Sequence, residues 1–531
     1  MKILLKKGTI YDGKGNKPFV GDLFIVEDKI VAVEPRIDVK ADQVIDCEGL
    51  IIAPGFIDGH SHNDFFVDKE NSVKYFEPFL RQGITSQVVG NCGFSVSGMD
   101  KDTPHLDVIN KGLFPIVEPG SYSEFIKRTK DNLYVNMAPL IGHGIVRAGL
   151  NGYDNKKLTL EQLKKMRELI DEAMLEGAFG GSFGFMYEPG IYGDKEEINT
   201  FAKRVVEHDG ILTFHPRAQA KLSASYSLLS KKPHMMLALE EVGEIVKECG
   251  GRAVYSHLNF GGEKSWSCLE PMLEKLHEFQ NQGVDINFDL YSFPYGTTSI
   301  KIALHDFYMK LSKEDRQKKG NILKSKMLTS IVLKLLGLSF EDFIVAYIGE
   351  GFNHYEGKSI SHIAKEEGIS PGNMYLKLVA LSEGKGRMFA TKLYNDDMIN
   401  TLMQDPLSTF MTDAWIEDAG VQTGAAYQGF TYFLTKARDN NLPLEETIYK
   451  MTGKISERFK ITGRGTLEKD NVADITVFDL SALNVESDNP TFISPGIKYV
   501  FVNGVKVVNN EVFTPVKAGK ILRKTYTNNK V

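Results

Sequence analysis

The sequence has few of the features that mark secreted or membrane-spanning proteins. Its 531 residues include only four cysteines, none in a CxxC pair, which does not fit a disulfide framework. The most apolar window, residues 331–348, is interrupted by Lys334, Glu341 and Asp342 and is too polar for a membrane span. The N-terminal apolar run is too short for a secretory signal. We therefore expect a cytoplasmic protein.

Charge is not concentrated in any part of the chain. The 63 Lys and Arg residues against 69 Asp and Glu residues give a net charge of −6, with no long block of one sign. This pattern does not fit nucleic acid or an anionic membrane as the main partner. We expect a small-molecule substrate, no nucleic-acid or membrane partner, and leave a homo-oligomer open.

Both ends of the chain show a strand-and-hairpin pattern. Short apolar runs alternate with turn signals over the first fifty or so residues, and the same texture returns after residue 472. Asn503-Gly504, for example, is a strong hairpin turn signal. The two ends are therefore predicted to form one β domain.

The central part of the chain predicts an α/β fold with parallel strands. Apolar runs that end in polar or Gly-rich clusters alternate with helical stretches, as in repeated β/α units. The helical candidates are Leu160 to Glu176, Met235 to Glu248 and Glu270 to Gln282. The eight runs are Ile51 to Ile57, Ile84 to Val89, Tyr134 to Ile141, Phe179 to Met186, Ile211 to Phe214, Ala253 to Tyr255, Val284 to Leu290 and Ser408 to Met411. Eight such units indicate a (β/α)₈ TIM-like barrel.

The interval between the seventh and eighth runs is too long for a single helix. Its first part, from Lys301 to Lys326, is rich in lysine. We interpret the region at about 300–350 as an insertion. Two interpretations remain open: a solvated helical excursion, or a lid over the mouth of the barrel.

Residues that can bind a metal follow several of the predicted strands. In a barrel the active site lies at the carboxyl ends of the strands. His60 and His62 are two apart in an extended segment, so both side chains can reach one metal ion. The other candidates after strands are Cys92, His215, His257 and Asp413. Singly each fits a structural role, but their common location favours a metal site, and imidazole and thiolate ligands favour zinc.

Several motifs resemble those of one enzyme family. They are Pro54 to His62 (PGFIDGHSH), Val89 to Ser95 (VGNCGFS), His215 to Arg217 (HPR), Ser256 to Leu258 (SHL) and Thr412-Asp413. Together they look like the amidohydrolase superfamily, in particular its D-aminoacylase (N-acyl-D-amino-acid deacylase) branch. The resemblance spans nearly the whole chain. It implies zinc-dependent hydrolysis of a linear amide, most plausibly deacylation of an N-acyl-D-amino acid or a related N-acyl compound.

The resemblance also implies domains and residue roles. A metal-bearing barrel, residues 54–462, would be joined to a small β-sandwich made of residues 1–53 and 463–531. Cys92, His215 and His257 would hold a tight zinc ion, and a second, weaker position would use the remaining histidines, His60 and His62. Asp413 would act as general acid and base. Tyr291 would donate to the scissile carbonyl or its oxyanion, and His143 is a further candidate for that role.

The sequence departs from the family at the expected carboxylate-binding site. Many relatives have a Pro-Arg pair after the catalytic Asp, whereas Gln422 to Tyr427, including Gly424 to Ala426, contains no Arg. Carboxylate recognition would then need another cation, and the candidates are Arg147, Arg217 or a Lys from the insertion. Tyr187 and Thr297 complete the candidate substrate-binding residues.

Two other functions stay open at this point. One is hydrolysis of a cyclic amide, as in hydantoinase-like and dihydroorotase-like relatives, which normally bridge two metals with a modified Lys. The other is a barrel that has lost catalysis and serves as a scaffold. Assays on linear and cyclic amides separate the first from the leading hypothesis, and metal analysis of the purified protein tests the second.

Overall fold

The computed structural model describes residues 1–110, 116, 118–227, 229–304, 306–309 and 311–525. The strands are β1 (Lys2–Ile10), β2 (Phe19–Val26), β3 (Lys29–Glu34), β4 (Gln43–Asp46), β5 (Ile51–Pro54), β6 (Phe56–Asp58), β7 (Ile84–Val89), β8 (Asn136–Pro139), β9 (Ile141–Gly142), β10 (Gly180–Gly184), β11 (Ile211–His215), β12 (Arg252–Tyr255), β13 (Asp285–Leu290), β14 (Gly296–Ser299), β15 (Phe343–Tyr347), β16 (Arg387–Ala390), β17 (Ser408–Phe410), β18 (Ile475–Phe478), β19 (Ile497–Val502), β20 (Val505–Asn509) and β21 (Val512–Phe513). The helices are α1 (Val73–Leu80), α2 (Leu106–Ile109), α3 (Tyr122–Thr129), α4 (His143–Asn151), α5 (Leu160–Leu175), α6 (Lys195–Glu207), α7 (His234–Cys249), α8 (Leu269–Asn281), α9 (Asp306–Met309), α10 (Lys313–Arg316), α11 (Lys319–Leu336), α12 (Ile360–Glu366), α13 (Pro371–Leu381), α14 (Asp396–Gln404), α15 (Ala425–Asp439), α16 (Leu444–Met451) and α17 (Gly453–Phe459).

One nine-stranded sheet combines strands from both ends of the chain. Its order is β21-β20-β19-β18-β5-β1-β2-β3, and β4 pairs with β1. The two ends meet at the antiparallel pair of β5 and β18, where Ile52 lies opposite Val477. One buried apolar cluster contains side chains from both ends, including Ile3, Leu5, Leu23, Ile25, Ile475 and Phe501. The apolar runs at the two ends are thus parts of one core.

Parallel strands form the centre of the molecule. One sheet has the order β17-β13-β12-β11-β10-β9, and a second has the order β6-β7-β8. Only Leu140 separates β8 from β9, so one interrupted strand links the two sheets. Beyond the ends of β6 and β17, the Asp413 backbone N–H donates to the His60 carbonyl at 3.0 Å. Strands β6, β7, β10 and β11 are buried throughout, as expected for parallel strands covered on both faces.

The eight predicted runs coincide with strands, but the first run is divided. Its first half is β5, which belongs to the nine-stranded sheet, and its second half is β6, which begins the parallel set. Gly55 lies between them, and its N–H donates to the Asp474 carbonyl at 2.8 Å. A Cβ at this position would lie 2.3 Å from Thr85 Oγ1, so close packing requires a residue without a side chain here.

Helices pack on the parallel strands. Helix α6 contacts β11, α7 contacts β12 and α8 contacts β13. The predicted helical stretches correspond to α5, α7 and α8, whose ends differ from the prediction by one residue or less. Among the described residues, none of the helices combines the length and the hydropathy that crossing a membrane requires.

The region between β13 and β17 contains a unit with its own core. Strands β14, β16 and β15 form an antiparallel sheet in that order. Helices α11, α12 and α13 pack beside it around a separate apolar cluster that includes Ile300, Leu333, Val345 and Met374. The unit extends from β14 to β16 and so exceeds the predicted insertion at about 300–350. The secondary-structure propensities of the residues could not predict where the unit ends. Its last strand, β16, belongs to it because it pairs with β14 and β15, and this pairing exists only in the folded unit.

Candidate metal centre

Six side chains that follow or end parallel strands converge at one end of the fold. They are His60 and His62 after β6, Cys92 after β7, His215 at the end of β11, His257 after β12 and Asp413 after β17. All five histidine and cysteine residues are buried, and the Asp413 side chain is 11% exposed. The strand topology thus places a soft sulfur ligand, four imidazoles and a carboxylate within one buried region.

The sulfur of Cys92 lies among three histidine rings. Its distance to His60 Nε2 is 3.2 Å, and its distances to His215 Nδ1 and His257 Nε2 are both 3.5 Å. The thiol is therefore within reach of nitrogen atoms from three different strand ends. Such a position allows one sulfur to share a ligand site with several imidazoles.

The Asp413 carboxylate approaches the same Nε2 atoms of His60 and His257 that Cys92 contacts. Its Oδ1 is 3.6 Å from His60 Nε2 and 3.2 Å from His62 Nε2. Its Oδ2 is 3.3 Å from His257 Nε2 and accepts a hydrogen bond from the Tyr291 hydroxyl. His60 therefore faces both Cys92 and Asp413.

The backbone is strained at three of these residues. Cys92, His257 and Asp413 have φ values of 54°, 45° and 41°, in the left-handed region that side chains other than glycine rarely adopt. Such strain concentrates at functional sites, where the surrounding structure holds it in place. Gly90 beside Cys92 also has a positive φ, and a Cβ there would lie 2.3 Å from the Leu140 carbonyl oxygen.

Two buried aspartates hold the strand ends in position. Asp58 accepts hydrogen bonds from the Thr412 N–H and hydroxyl at 2.9 and 2.5 Å, and from the His60 N–H at 3.3 Å. Asp289 Oδ1 accepts from the His257 N–H at 2.5 Å, and its Oδ2 is 3.3 Å from His60 Nδ1. Sequence analysis gave neither carboxylate a role. A signal was present, since each is an acid within an apolar strand run.

The ionisation of these groups is strongly coupled. Burial raises the pKa of Cys92 well above its usual value, and Asp413 and Asp289 raise it further. Burial, together with His257, lowers the pKa of His215 well below its usual value. Burial alone would raise the pKa of Asp413, but His60 and His257 hold it well below its usual range. The carboxylate is thus held in its ionised form.

The donor atoms form two groups that suit a metal ion. His60, Cys92 and His257 make one, and His60, His62 and Asp413 make the other, with all ligand atoms of a group within 4.8 Å of one another. His215 adds Nδ1 next to Cys92, and its Nε2 is buried with no hydrogen-bond partner among the described residues. Sulfur and imidazole donors suit zinc. A divalent cation would also balance the thiolate and carboxylate charges, so the residues present fit the predicted metal.

Aromatic side chains surround the donor groups. The Tyr187 ring lies over His215 with 4.4 Å between centroids. The Trp415 ring meets His62 edge to face at 5.7 Å, and Tyr291 stacks on His257 at 5.7 Å. Burial raises the pKa of Tyr291 and of Tyr187 well above the usual value, so both hydroxyls are protonated donors.

Two predicted site residues lie in a separate buried network. His143 Nε2 is 2.8 Å from Glu197 Oε1, and Arg147 pairs with Glu197 Oε2. The second guanidinium nitrogen of Arg147 donates to the carbonyls of Asp154 and Lys156 at 3.1 and 2.8 Å. The side chains of His143 and Arg147 are 0% exposed. The structure therefore places both against α6 and not among the donor groups.

Of the remaining candidates for substrate binding, Arg217 is engaged elsewhere and Thr297 lies in the insertion. Arg217 makes a forked contact with Glu241 at 3.0–3.2 Å and donates to the Ile191 carbonyl at 3.3 Å. Thr297 lies on β14, opposite Phe389 in the sheet of the insertion. In the segment that lacks the family's arginine, the Gly424 N–H donates to the Tyr295 hydroxyl at 3.2 Å.

Comparisons with known proteins agree with this geometry. No family model matches the chain. It is 27% identical over 530 residues to the D-aminoacylase of Alcaligenes xylosoxydans xylosoxydans, covering 98% of both chains. A crystal structure of D-aminoacylase that defines a subset of amidohydrolases superposes with a TM-score of 0.79 at 23% identity, covering 98% of this chain and 99% of the other. N-acyl-D-glutamate deacylase from Bordetella bronchiseptica, complexed with zinc and a phosphonate inhibitor, gives 0.78 at 23% identity with the same coverage.

These similarities show the fold of the chain. It is a mixed α/β fold like that of the D-aminoacylase and N-acyl-D-glutamate deacylase structures. More particularly, its similarity to D-aminoacylases and N-acyl-D-amino-acid deacylases extends over the full chain. The resemblance predicted from the motifs is thereby confirmed.

Proposed function

We propose that the protein is a zinc-dependent hydrolase of linear amides, which removes the acyl group from an N-acyl-D-amino acid or a related N-acyl compound. The observation that carries the proposal is the position of Cys92 Sγ, 3.2 Å from His60 Nε2 and 3.5 Å from His257 Nε2, with Asp413 beside the same rings. Full-length similarity to deacylases of N-acyl-D-amino acids supports the substrate class.

Zinc would be held by this chain's own donor groups. We assign the tight position to Cys92, His215 and His257, and a second position to His60 and His62. Bound zinc acts as a Lewis acid toward a carbonyl group and lowers the pKa of water to around 7. Asp289 and Asp58 would keep the ligand histidines oriented through the hydrogen bonds described above.

The proton transfers belong to Asp413. Its carboxylate, ionised because of the neighbouring histidines, can accept the proton of the attacking water and then deliver it to the leaving amine. Tyr291 touches the same carboxylate and presents a neutral O–H. We propose that this hydroxyl, which has one hydrogen to donate, turns from Asp413 to the carbonyl oxygen of the substrate as negative charge develops there.

Substrate contacts would come from the aromatic side chains around the donor groups. Tyr187 is the predicted substrate-binding residue that lies at the cluster, and Trp415 adds a second ring. His143, Arg147 and Arg217 are left out of the proposed site because their polar groups are taken by the contacts described above. Thr297 is left out because it lies on β14, in the sheet of the insertion. Recognition of a substrate carboxylate by Arg147 would require its Glu197 pair to break.

We extend the proposal to the domain organisation. The eight parallel runs, from β6 to β17, would close as a (β/α)₈ barrel within residues 54–462, which the hydrogen bond from Asp413 to His60 supports. The nine-stranded sheet would form the small β-sandwich of residues 1–53 and 463–531. The insertion would act as a lid. The cytoplasmic location stays a prediction.

A substrate panel tests the proposed function. Purified protein, stripped with a chelator and reloaded with zinc, is assayed with N-acetyl-D-amino acids, their L enantiomers, and cyclic amides such as hydantoin and dihydroorotate. We expect turnover of at least one N-acetyl-D-amino acid and none without metal. Turnover of cyclic amides alone would support the hydantoinase-like alternative, and inactivity on the panel without stoichiometric zinc would support a scaffold.

A further inference from the structure

His257 is contacted at both of its ring nitrogens. Its Nε2 faces Cys92 and Asp413, and its Nδ1 lies 3.0 Å from the side-chain Nε2 of Gln219. The ring is 1% exposed, so no bulk solvent replaces these partners. The groups at both nitrogens, Gln219 at Nδ1 and Cys92 and Asp413 at Nε2, therefore decide which nitrogen of His257 carries the proton.

We propose that Gln219 is a positioning residue whose amide oxygen accepts the Nδ1–H of His257 once a metal is bound and so holds the metal-binding tautomer of this ring. The inference rests on the proposed metal site, since it concerns how His257 presents a lone pair to a cation. A histidine that binds a metal through Nε2 must carry its proton on Nδ1, and the partner of Nδ1 must then accept a hydrogen bond. A glutamine amide can do this with its oxygen and can equally donate with its nitrogen.

Gln219 is itself the middle of a hydrogen-bonded chain of neutral groups. Asn259 Nδ2 donates to Gln219 Oε1 at 3.2 Å, and the Tyr394 hydroxyl donates to Asn259 Oδ1. Asn259 and Tyr394 are 5% and 2% exposed. The backbone also fixes Gln219, because the Gly261 N–H donates to its carbonyl at 2.8 Å. These hydrogen bonds connect Tyr394, which follows β16, to the imidazole ring of His257.

The hydrogen bonds from Tyr394 through Asn259 and Gln219 to His257 can run in either of two directions. As the atoms stand, each group donates toward His257, and Gln219 Nε2 donates to Nδ1, which leaves the proton on Nε2. Turning both amides by 180° exchanges every donor and acceptor, so that Gln219 Oε1 accepts from the Nδ1–H and the Nε2 lone pair faces Cys92. Only the second direction suits a cation, and the amides supply it without any change of charge.

His60 offers a contrast within the same centre. Its Nδ1 lies 3.3 Å from Asp289 Oδ2, a carboxylate that accepts in its ionised form. The His60 partner therefore fixes one tautomer, whereas the His257 partner permits either. Gln219→Glu would give His257 the same kind of partner as His60, and Gln219→Leu would remove the partner while keeping a side chain of similar length.

The experiment measures zinc affinity by competition with a chromophoric chelator, independently of any substrate. We expect Gln219→Leu to weaken zinc binding about 10–100-fold, the usual effect of removing a hydrogen-bond partner of a ligand histidine. Gln219→Glu should bind zinc at least as tightly as the unsubstituted protein. Gln280→Leu is the matched control. Gln280 lies on α8, and its side chain donates a hydrogen bond to the backbone carbonyl of Ile286 in β13 and not to a residue of the donor groups.

Tyr394→Phe distinguishes a specific effect of Gln219 on the position of His257 from a general weakening of these buried hydrogen bonds. It removes a hydrogen bond from the same chain but leaves Gln219 in contact with His257, so zinc affinity should stay close to that of the unsubstituted protein. Equal weakening by Tyr394→Phe and Gln219→Leu would overturn the inference, as would unchanged affinity in Gln219→Leu. If the unsubstituted protein bound no zinc, both this inference and the proposed function would be wrong. If it bound zinc with an affinity that did not depend on Gln219, only this inference would be wrong.

Discussion

The Tyr291 hydroxyl and His257 Nε2 share one oxygen of Asp413. The phenol donates to Oδ2, and Oδ2 lies 3.3 Å from the imidazole nitrogen. The other oxygen, Oδ1, faces His60 and His62 at 3.6 and 3.2 Å. Each carboxylate oxygen therefore has its own set of partners, so a change at Asp413 affects proton transfer without removing a histidine from the donor groups.

Asp413→Asn should preserve zinc binding and remove most of the turnover. The amide keeps the size of the carboxylate but cannot take a proton from the attacking water, and loss of a general acid or base lowers rates about 10²–10⁴-fold. Steady-state kinetics on the best N-acyl substrate, with zinc content measured on the same samples, checks this. Asp396→Asn is the control, since Asp396 is 75% exposed. A turnover rate equal to that of the unsubstituted protein would remove Asp413 from the mechanism.

Tyr291→Phe should lower kcat about 10²–10³-fold with little change in zinc content. The substitution deletes one neutral O–H donor, and loss of an oxyanion donor has an effect of this size. The ring itself would remain stacked on His257, which it meets at 5.7 Å between centroids. Tyr449→Phe, which removes a hydroxyl bound to the exposed Glu457, serves as the control. A rise in KM alone would instead indicate that Tyr291 only binds the ground state of the substrate.

The six donor residues could be predicted because a simple rule of topology brings them together. Carboxyl ends of neighbouring parallel strands lie at one edge, so His60, Cys92 and Asp413 meet even though they are far apart in the chain. The rule predicts where side chains at strand ends lie, but it does not predict which hydrogen bonds they form. It therefore did not assign Asp289, whose carboxylate joins His60 and His257 through contacts that depend on the register of β12 and β13.

The contacts of the candidate arginines could not be predicted for a different reason. Arg147 was a candidate because the family's carboxylate-binding arginine is missing, but α6 brings Glu197 to its guanidinium. No local pattern of hydrophobicity or charge links residues 147 and 197. The first predicted strand run was divided for a comparable reason, because Ile51 to Pro54 pairs with β18 from the far end of the chain.

Cys92→Ala should release the tight zinc ion and abolish the activity that depends on it. The sulfur contacts three imidazoles from three strand ends, whereas the Asp413 carboxylate contacts three imidazoles from two strand ends. Zinc content after reloading and gel filtration, together with the amide assay, gives the result. Cys249→Ala, a half-buried cysteine on α7, is the matched control. Stoichiometric zinc with full activity in Cys92→Ala would contradict the assignment of this ligand.

Arg147→Met should destabilise the protein without a selective loss of substrate affinity. Arg147 and Glu197 are 0% and 1% exposed. Removal of the guanidinium leaves the buried carboxylate with His143 as its remaining ionisable partner, and loss of one partner of a buried ion pair costs about 3–5 kcal/mol of unfolding free energy. Denaturant unfolding of the variant measures the loss. The double variant Arg147→Met with Glu197→Gln should recover part of it, because the buried carboxylate charge is then absent. If Arg147→Met instead unfolded like the unsubstituted protein and raised KM for substrates with a carboxylate, Arg147 would be the missing recognition residue.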